Sequence, residues 1–256
     1  MGKCLVVANQ KGGVGKTTTV VNLAASLALE NANILVLDND PQGNASSGLG
    51  LSRDQIERSL YDVYTGRHTL EEVIVQTQMP NLYLAPSNIN LLAVEVELVQ
   101  REGREYILRA ALELLRDRFA FIFIDCPPSL GLLTLNGLVA ADSIVVPVQC
   151  EYYSLEGLSL LTRTLQLVRG SFNPELEIEG IVLTMFDARN TLSYQVAAEV
   201  RKHFPDKVYE VQIPRNVSLG EAPSYGKPAI LYDPRSKGAQ SYLALALEML
   251  YEKRTG

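Results

Sequence analysis

The stretch Lys11-Gly12-Gly13-Val14-Gly15-Lys16-Thr17-Thr18 decides the fold of this 256-residue chain. It follows an apolar run at residues 3–9 and precedes residues 15–29, where apolar side chains recur at helical spacing. Glycines at such a place let successive backbone N–H groups converge on an anion, and the amino end of the following helix favours negative charge. The order of strand, glycine-rich loop and helix therefore predicts a phosphate-binding site.

The loop departs from the usual pattern G-x-x-x-x-G-K-[ST], because Gln10 stands where that pattern has its first glycine. In the remaining half, we expect Lys16 to contact the β- and γ-phosphates of a nucleotide and Thr17 to bind Mg²⁺. Thr18 and the backbone of residues 13–16 would hold the other oxygens. Lys11 is then additional. Because it precedes the glycines, it could reach a second nucleotide across a dimer interface, as an arginine finger does.

Apolar runs that read as buried strands alternate with stretches of helical periodicity along the chain. The predicted strands are residues 3–9, 34–37, 82–85, 119–124, 143–148, 178–184 and 208–213. The predicted helices are residues 15–29, 95–117, 155–168, 193–203 and 238–252. Residues 51–80 read either as short helices with their own role or as surface filler, and residues 218–236 as a long loop. Strands this apolar predict an α/β fold, in which residues 1–256 form one P-loop NTPase domain with a mostly parallel, twisted sheet and helices on both faces.

Three aspartates stand at the ends of apolar strands, where ligands bind in open α/β sheets. Asp125 closes the run of residues 121–124, and we assign it to the Mg²⁺ shell through water. Asp38 and Asp40 end the second strand, before a turn-rich segment able to respond to a γ-phosphate. Asp40 is the candidate for orienting the attacking water beside the metal, and Asp38 is a magnesium-shell or structural group. The alternative is that these residues merely cap a strand or begin a loop.

Composition and charge narrow the function further. The net charge of −6 argues against a generally basic nucleic-acid binder, but residues 1–180 carry 13 Lys or Arg against 21 Asp or Glu, whereas residues 181–256 carry 10 against 8. A basic surface is therefore expected near the carboxyl end. Cys4, Cys126 and Cys150 are widely spaced and odd in number, which predicts buried reduced thiols. The first residues contain no targeting pattern, so we expect a cytoplasmic protein.

The chain closely resembles one family over essentially its whole length: the ParA/Soj partition ATPases, of the deviant Walker A group that also contains MinD and the nitrogenase iron protein. Besides the glycine-rich loop, the motifs that carry the resemblance are Asp40-Pro41-Gln42-Gly43-Asn44-Ala45, Asp125-Cys126-Pro127-Pro128-Ser129, Pro147-Val148-Gln149-Cys150-Glu151-Tyr152-Tyr153, Thr184-Met185-Phe186-Asp187-Ala188-Arg189 and Ile213-Pro214-Arg215-Asn216-Val217.

The resemblance implies an ATPase whose signature lysine is Lys11, with ATP and Mg²⁺ enclosed between two subunits of a homodimer. It places the catalytic aspartate at Asp40 and the Walker B aspartate at Asp125. It also implies that the nucleotide base is held by the segments around Met185 and Asp187 and at Pro214, Arg215 and Asn216. The dimer would bind double-stranded DNA without sequence preference on the nucleoid, until a ParB-type centromere-binding protein stimulates hydrolysis.

Arg189 falls on a DNA-contacting basic residue of the family. Other basic residues that could extend such a surface, each also readable as an ordinary solvated charge, are Lys202, Lys207, Arg215, Lys227, Arg235 and Lys237. Ser218 stands where close relatives often have an arginine used for DNA, which predicts weaker DNA affinity. Asn39 stands where an apolar residue is commoner, and a buried amide there would need a hydrogen-bond partner.

Three alternatives compete with a partition ATPase. A MinD-like positioning ATPase would need a basic amphipathic helix at the carboxyl end to lie on a membrane, whereas Tyr242, Leu243, Ala246 and Leu250 are spaced for a core and only Lys253 and Arg254 follow. We therefore expect no membrane partner. An iron–sulfur protein would need paired thiolates that the three cysteines do not provide. A scaffold switched by ATP without significant turnover differs only in its rate of hydrolysis.

Overall fold

A computed structural model describes residues 2–152 and 154–255, including every side chain except those of Glu156 and residues 252–255. Within these residues one seven-stranded sheet has the order β3-β4-β2-β5-β1-β6-β7. All neighbouring strands are parallel except β3, which pairs antiparallel with β4. The strands are β1 Lys3–Val7, β2 Ile34–Asp38, β3 Val75–Gln76, β4 Leu82–Ala85, β5 Phe121–Asp125, β6 Ser143–Gln149 and β7 Glu177–Thr184.

Helices cover both faces of the sheet, as the apolar strands predict. They are α1 Lys16–Leu29, α2 Asn44–Gly48, α3 Leu60–Thr65, α4 Leu70–Val73, α5 Val94–Glu97, α6 Ile107–Leu112, α7 Leu132–Ala140, α8 Ser154–Ser171, α9 Thr191–His203, α10 Val217–Glu221, α11 Ala229–Tyr232 and α12 Lys237–Thr255. One core lies between the sheet and α1 with α12, and the other contains buried side chains of α3, α6, α7, α8 and α9. The predicted α/β architecture is confirmed.

The sheet register sets the position of the site. β1 and β2 both flank β5, so the loop after β1 and the acidic ends of β2 and β5 meet at one edge of the sheet. Asp38 is paired with Asp125 across β2 and β5, and Val7 is paired with Asp125 across β1 and β5. Residues far apart in sequence are thereby placed next to the glycine-rich loop.

The predicted strand at residues 208–213 is wrong as a regular strand. The segment follows the outer edge of β7 and makes only isolated bridges, from Val208 to Ile181 and from Pro214 to Phe186. Between these bridges the backbone N–H groups of residues 210 and 211 donate to the carboxylate of Glu248 on α12, at 2.7 and 3.1 Å. A side chain thus takes donors that a ladder would have used.

The predictions for one helix and one loop also need correction. Residues 95–117 form no continuous helix, because Gly103 lies at φ +67° and separates α5 from a short 3₁₀ turn and α6. Residues 218–236 contain α10, a 3₁₀ turn and α11 instead of a long loop. Residues 51–80 hold short helices and β3, so the helical part of the first reading offered for that segment is confirmed. The helices α2 and α7 were not predicted.

The last helix packs as part of the core. Tyr242 and Ala246 are buried against α1 as predicted, together with Leu245 and Met249. Leu250 is partly buried against the same core, whereas Leu243 is partly exposed. Lys253 and Arg254 lie outside the described side chains. No helix among the described residues has the length and apolarity needed to cross a membrane. The three cysteines are buried free thiols, as predicted.

Candidate nucleotide-binding site

The glycine-rich loop is held open by its backbone conformation and by two anchoring side chains. Gly13 and Gly15 have φ values of +73° and +88°, a region that side chains with a Cβ rarely adopt. The buried Asn9 side chain donates to the carbonyl of Pro147 at 2.8 Å, and the Thr184 hydroxyl donates to the carbonyl of Val14 at 2.8 Å. The loop is therefore fixed to β6 and β7 on one side.

Lys16 lies folded across this loop. Its side chain is largely buried, and its Nζ donates to the carbonyl of Lys11 at 3.4 Å. Burial lowers the pKa of Lys16, whereas Asp125 and Asp40 act in the opposite direction. A buried ammonium group with only one long hydrogen bond of its own is available to phosphate oxygens.

The carboxylates at the ends of β2 and β5 divide into different roles. Asp38 is fully buried and accepts hydrogen bonds from the backbone N–H and hydroxyl of Ser46, each at 2.7 Å. Burial raises the pKa of Asp38 to about 6, against the hydrogen bonds from Ser46. Asp38 thus tethers α2 to β2, which favours the structural role over the metal role. Asp40 lines the cleft and accepts from the backbone N–H of Gln42 at 2.9 Å.

Asp125 is the most unusual carboxylate of the site. It is fully buried, and neither of its carboxylate oxygens accepts a hydrogen bond of ordinary geometry from the described residues. Burial raises the pKa of Asp125 well above its usual range, and Asp38 adds to this, while Thr17 and Lys16 oppose it. A buried carboxylate without partners is costly, so this position suits a cation with its bound water.

The arrangement fits magnesium held jointly by protein and phosphates. Mg²⁺ usually takes one or two carboxylates or hydroxyls and completes its shell with water and phosphate oxygens. Thr17 and Asp40 line the same cavity, and Asp125 ends β5 beside the end of β2 that leads to Asp40. Within the described part of the chain, no group of three or more His, Cys, Asp or Glu side chains could hold a metal ion by itself.

The unusual Asn39 has the partners that its burial requires. Its Nδ2 donates to the carbonyl of Leu133 at 2.7 Å, and its Oδ1 accepts from the hydroxyl of Tyr64 at 3.0 Å. Burial raises the pKa of Tyr64 well above its usual range, so the phenol remains a donor. The amide therefore connects the end of β2 to α3 and α7 beneath the site.

Two adjoining cavities form one cleft along the loop. The first, of about 370 Å³, contains the phosphate-binding candidates. Its lining residues are Gly12, Gly13, Gly15, Lys16, Thr17, Thr18, Asp40, Gln42, Asn44, Pro128 and Met185. The second, of about 230 Å³, shares three of these and is lined by Gly15, Thr18, Thr184, Met185, Ile213, Pro214, Arg215, Asn216, Leu219, Gly220 and Tyr242. The cleft thus has a charged end and a mainly apolar end of a size suited to a nucleotide base.

Two features mark the apolar end as a binding site. Met185 adopts a left-handed conformation, with φ of +51°, and contributes to the walls of both cavities. Backbone strain of this kind concentrates at ligand sites. In addition, the buried Oδ1 of Asn216 has no hydrogen-bond partner among the described residues.

Asp187 was predicted to help hold the base, but the structure does not place it in the wall of the cleft. Its carboxylate accepts from Nε and Nη2 of Arg189, at 3.0 and 2.9 Å. The hydrogen bonds from Arg189 lower the pKa of Asp187 to about 2. The Arg189 side chain is 90% exposed, so this basic candidate is on the surface and already paired within its own loop.

The other basic candidates do not form one cluster. Arg215 lies with Arg189 near the carboxyl end of β7, whereas Lys202 ends α9 and pairs with Glu199. Lys207 lies opposite Ile181 in the middle of β7. Lys227 lines a cavity beside Thr17 and α2, and Arg235 and Lys237 are exposed around the start of α12.

Sequence reasoning missed several contributors to the cleft. Glu151 forms an ion pair with Lys11 beside the cleft, with 3.2 Å between Nζ and Oε2. Leu219 and Tyr242 come from α10 and α12 to close the apolar end. No local pattern marks Leu219 and Tyr242, because only the packing of the carboxyl-terminal segments against α1 brings them to the cleft.

Comparisons with known proteins agree with this geometry. A family model described as "AAA domain" matches residues 2–178. The sporulation initiation inhibitor protein Soj of Bacillus subtilis is 54% identical over 249 residues, covering 97% of this chain and 98% of that protein. The chromosome partitioning protein ParA of Caulobacter vibrioides is 52% identical over 254 residues, covering 98% and 95%.

Solved structures show the same architecture. A Mycobacterium smegmatis protein named cobyrinic acid a,c-diamide synthase, crystallised with ADP and magnesium, has a TM-score of 0.87 and 38% identity, covering 100% of this chain and 97% of that chain. The septum site-determining protein MinD of Pyrococcus horikoshii, complexed with Mg-ADP, has a TM-score of 0.80 and 27% identity, covering 96% and 95%. The length and identity of the matches to ParA and Soj establish that this chain belongs to the ParA/Soj family of P-loop partitioning ATPases.

Proposed function

We propose that this chain binds ATP with Mg²⁺ in the cleft and hydrolyses it to control a dimer that holds DNA. The observation that carries the proposal is the continuity of the two cavities, with Lys16 and Thr17 at one end and the pocket of Met185 and Asn216 at the other. A nucleotide spans both ends. Structures related to this one hold ADP and magnesium in their crystals, which supports the same ligand here.

At the charged end, Thr17, Asp40 and Asp125 would hold the metal, whose chemistry is to neutralise charge on the phosphate oxygens. Lys16 and the amides of the loop bind the β- and γ-phosphates. In this proposal Asp40, which is 7% exposed and lines the cleft, orients the attacking water. The buried Asp38 keeps the segment of Asp40 in place through its hydrogen bonds to α2.

Dimerisation follows from Lys11. Its backbone N–H is fixed by Asn9 at 3.0 Å, while its side chain leaves the loop and is 31% exposed. A half-exposed lysine beside, but outside, its own phosphate cavity is suited to contact a nucleotide held by a second copy of the chain. In this proposal each ATP lies between two subunits, so ATP is what holds the homodimer together.

Non-specific DNA binding would use Arg189 first, because its guanidinium is freely accessible. Contacts from arginine and lysine to phosphates give affinity without sequence reading. The remaining candidates lie beside β7, on α9 and around the start of α12, which favours a surface assembled from both subunits over one patch on each. Such binding would make this a cytoplasmic, nucleoid-associated protein, and Arg189→Glu should abolish DNA retention while leaving ATP-dependent dimerisation intact.

Hydrolysis would be stimulated by a ParB-type centromere-binding protein together with DNA, as membership of the family supports. The decisive experiment measures steady-state release of phosphate from the full chain alone, with DNA, with the cognate ParB-type protein, and with both. The greatest rate is expected with both. Equal rates in all four conditions would reject the partition function and would favour an ATP-switched scaffold.

A MinD-like membrane function has less support. The face of α12 that contains Tyr242 and Leu245, each at most 1% exposed, is buried against α1, so this face is not available to lipid. Sedimentation with anionic vesicles and ATP tests the point directly. Surface charges are largely screened at roughly 0.5 M salt. Binding to the vesicles that persists at this ionic strength would support the membrane function.

A further inference from the structure

Lys11 has a partner within its own chain. Its Nζ lies 3.2 Å from Oε2 of Glu151, the second residue after β6. The backbone carbonyl of Glu151 accepts from the N–H of Ser154 at 3.0 Å, at the start of α8. Glu151 is therefore anchored by its main chain, and its side chain extends toward the glycine-rich loop.

The other oxygen of the same carboxylate faces the base end of the cleft. Oε1 of Glu151 accepts a hydrogen bond from the side chain of Gln149 and lies 3.9 Å from Nη2 of Arg215. One carboxylate thus stands between Lys11 and Arg215. Gln149 orients the Glu151 carboxylate, and Arg215 still provides a nearby positive charge for this carboxylate when Lys11 moves away.

The ion pair can break during function. The side chains of Lys11 and Glu151 are 31% and 47% exposed, so water competes with their attraction. Pairs of this exposure change an equilibrium by about 1.5- to 5-fold. That is enough to bias the position of a flexible lysine, and small enough for phosphate charges to overcome.

We propose that Glu151 is a positioning residue that holds Lys11 in the free subunit and competes with the nucleotide phosphates of a second copy for the same ammonium group. The inference rests on the proposed function, in which Lys11 acts across the dimer. Each dimer breaks two such pairs, so the effect on its association constant is the square of the effect of one pair. Removing Glu151 should strengthen the ATP-bound dimer by about 2- to 25-fold.

The test compares the dimer dissociation constants of full-length variants by sedimentation velocity with saturating ATPγS and Mg²⁺. Glu151→Gln should dimerise about 2- to 25-fold more tightly than the parent chain, and the gain should shrink in high salt because the pair is exposed. Glu30→Gln removes an exposed carboxylate at the end of α1 and serves as the matched control for net charge. It should dimerise like the parent.

Two further variants separate the possible failures. Lys11→Ala and Lys11→Ala/Glu151→Gln should both remain monomeric. If Lys11→Ala dimerises like the parent chain, the trans role of Lys11 is wrong and the inference falls with it. If Lys11→Ala is monomeric but Glu151→Gln dimerises no more tightly than the parent chain, only the positioning role of Glu151 is rejected. The same role is rejected if Glu151→Gln restores dimers to the Lys11→Ala chain, because Glu151 would then act without Lys11.

Discussion

The phosphate end and the base end of the cleft are built from different materials. At the phosphate end, Lys16 and Asp125 are buried, and the ends of three adjacent strands hold the charges in place. At the base end, Asn216 and Arg215 belong to a segment that follows the edge of β7 with isolated bridges. The comparison teaches that buried charges should respond to substitution with large losses, whereas the loop-built end should respond with graded ones.

The largest effect is expected at Asp40. Asp40→Ala should lower the rate of ATP hydrolysis by about 10²- to 10⁴-fold, the usual contribution of a group that orients or deprotonates an attacking water. ATP binding and ATP-dependent DNA retention should persist, because the loop and Lys16 are unchanged. Single-turnover hydrolysis and equilibrium binding measure the two quantities, with the exposed Asp54→Asn as control. Loss of ATP binding would show that Asp40 serves affinity.

Lys16→Ala should weaken ATP binding by about 100-fold or more, because charge-assisted hydrogen bonds to phosphates are worth up to about 3 kcal/mol. Titration of the full chain with a fluorescent ATP analogue measures the affinity. Lys202→Ala, at the exposed end of α9, removes the same charge away from the cleft and should bind as the parent does. Equal affinity in the two variants would contradict the placement of the phosphates.

The polar network below the phosphate end gives the next test. Asn39→Leu should lower the free energy of unfolding by about 1–3 kcal/mol, because it leaves the carbonyl of Leu133 and the hydroxyl of Tyr64 buried without partners. Denaturant unfolding measures this. Tyr64→Phe should lower the free energy of unfolding less in the Asn39→Leu chain than in the parent chain. Strict additivity would indicate that the two side chains are not coupled.

The smallest effect is expected at the base end. Asn216→Ala should weaken ATP binding by about tenfold, since it removes one neutral polar side chain from the lining of the base end. The affinity for GTP should change less, which a parallel titration measures. Asn90→Ala, on the exposed 3₁₀ turn before α5, is the control. A loss as large as that of Lys16→Ala would break the contrast between the two ends.

The sequence by itself determined the layered α/β fold and the charged end of the site. Strands of continuous apolar residues predict burial on both faces of the sheet. The charged end is formed by short motifs whose chemistry depends on local spacing, namely the glycines with Lys16 and Thr17, and the aspartates Asp40 and Asp125. The sequence pattern did not predict the antiparallel β3, the break at Gly103 or the path of residues 208–213. A left-handed glycine and the carboxylate of Glu248 override local periodicity there, and neither effect shows in an apolar pattern.

Only the tertiary structure decided which distant residues share the cleft. β6 and β7 bring Glu151 to Lys11 and Thr184 to Val14, and the packing of α12 on α1 brings Tyr242 to the base end. Asp187 is paired with Arg189 inside its own loop and is not in the lining of the cleft. The physical reason is that a motif specifies a backbone shape and a local chemistry, whereas contacts over more than 100 residues, such as that of Lys11 with Glu151, depend on strand order and register.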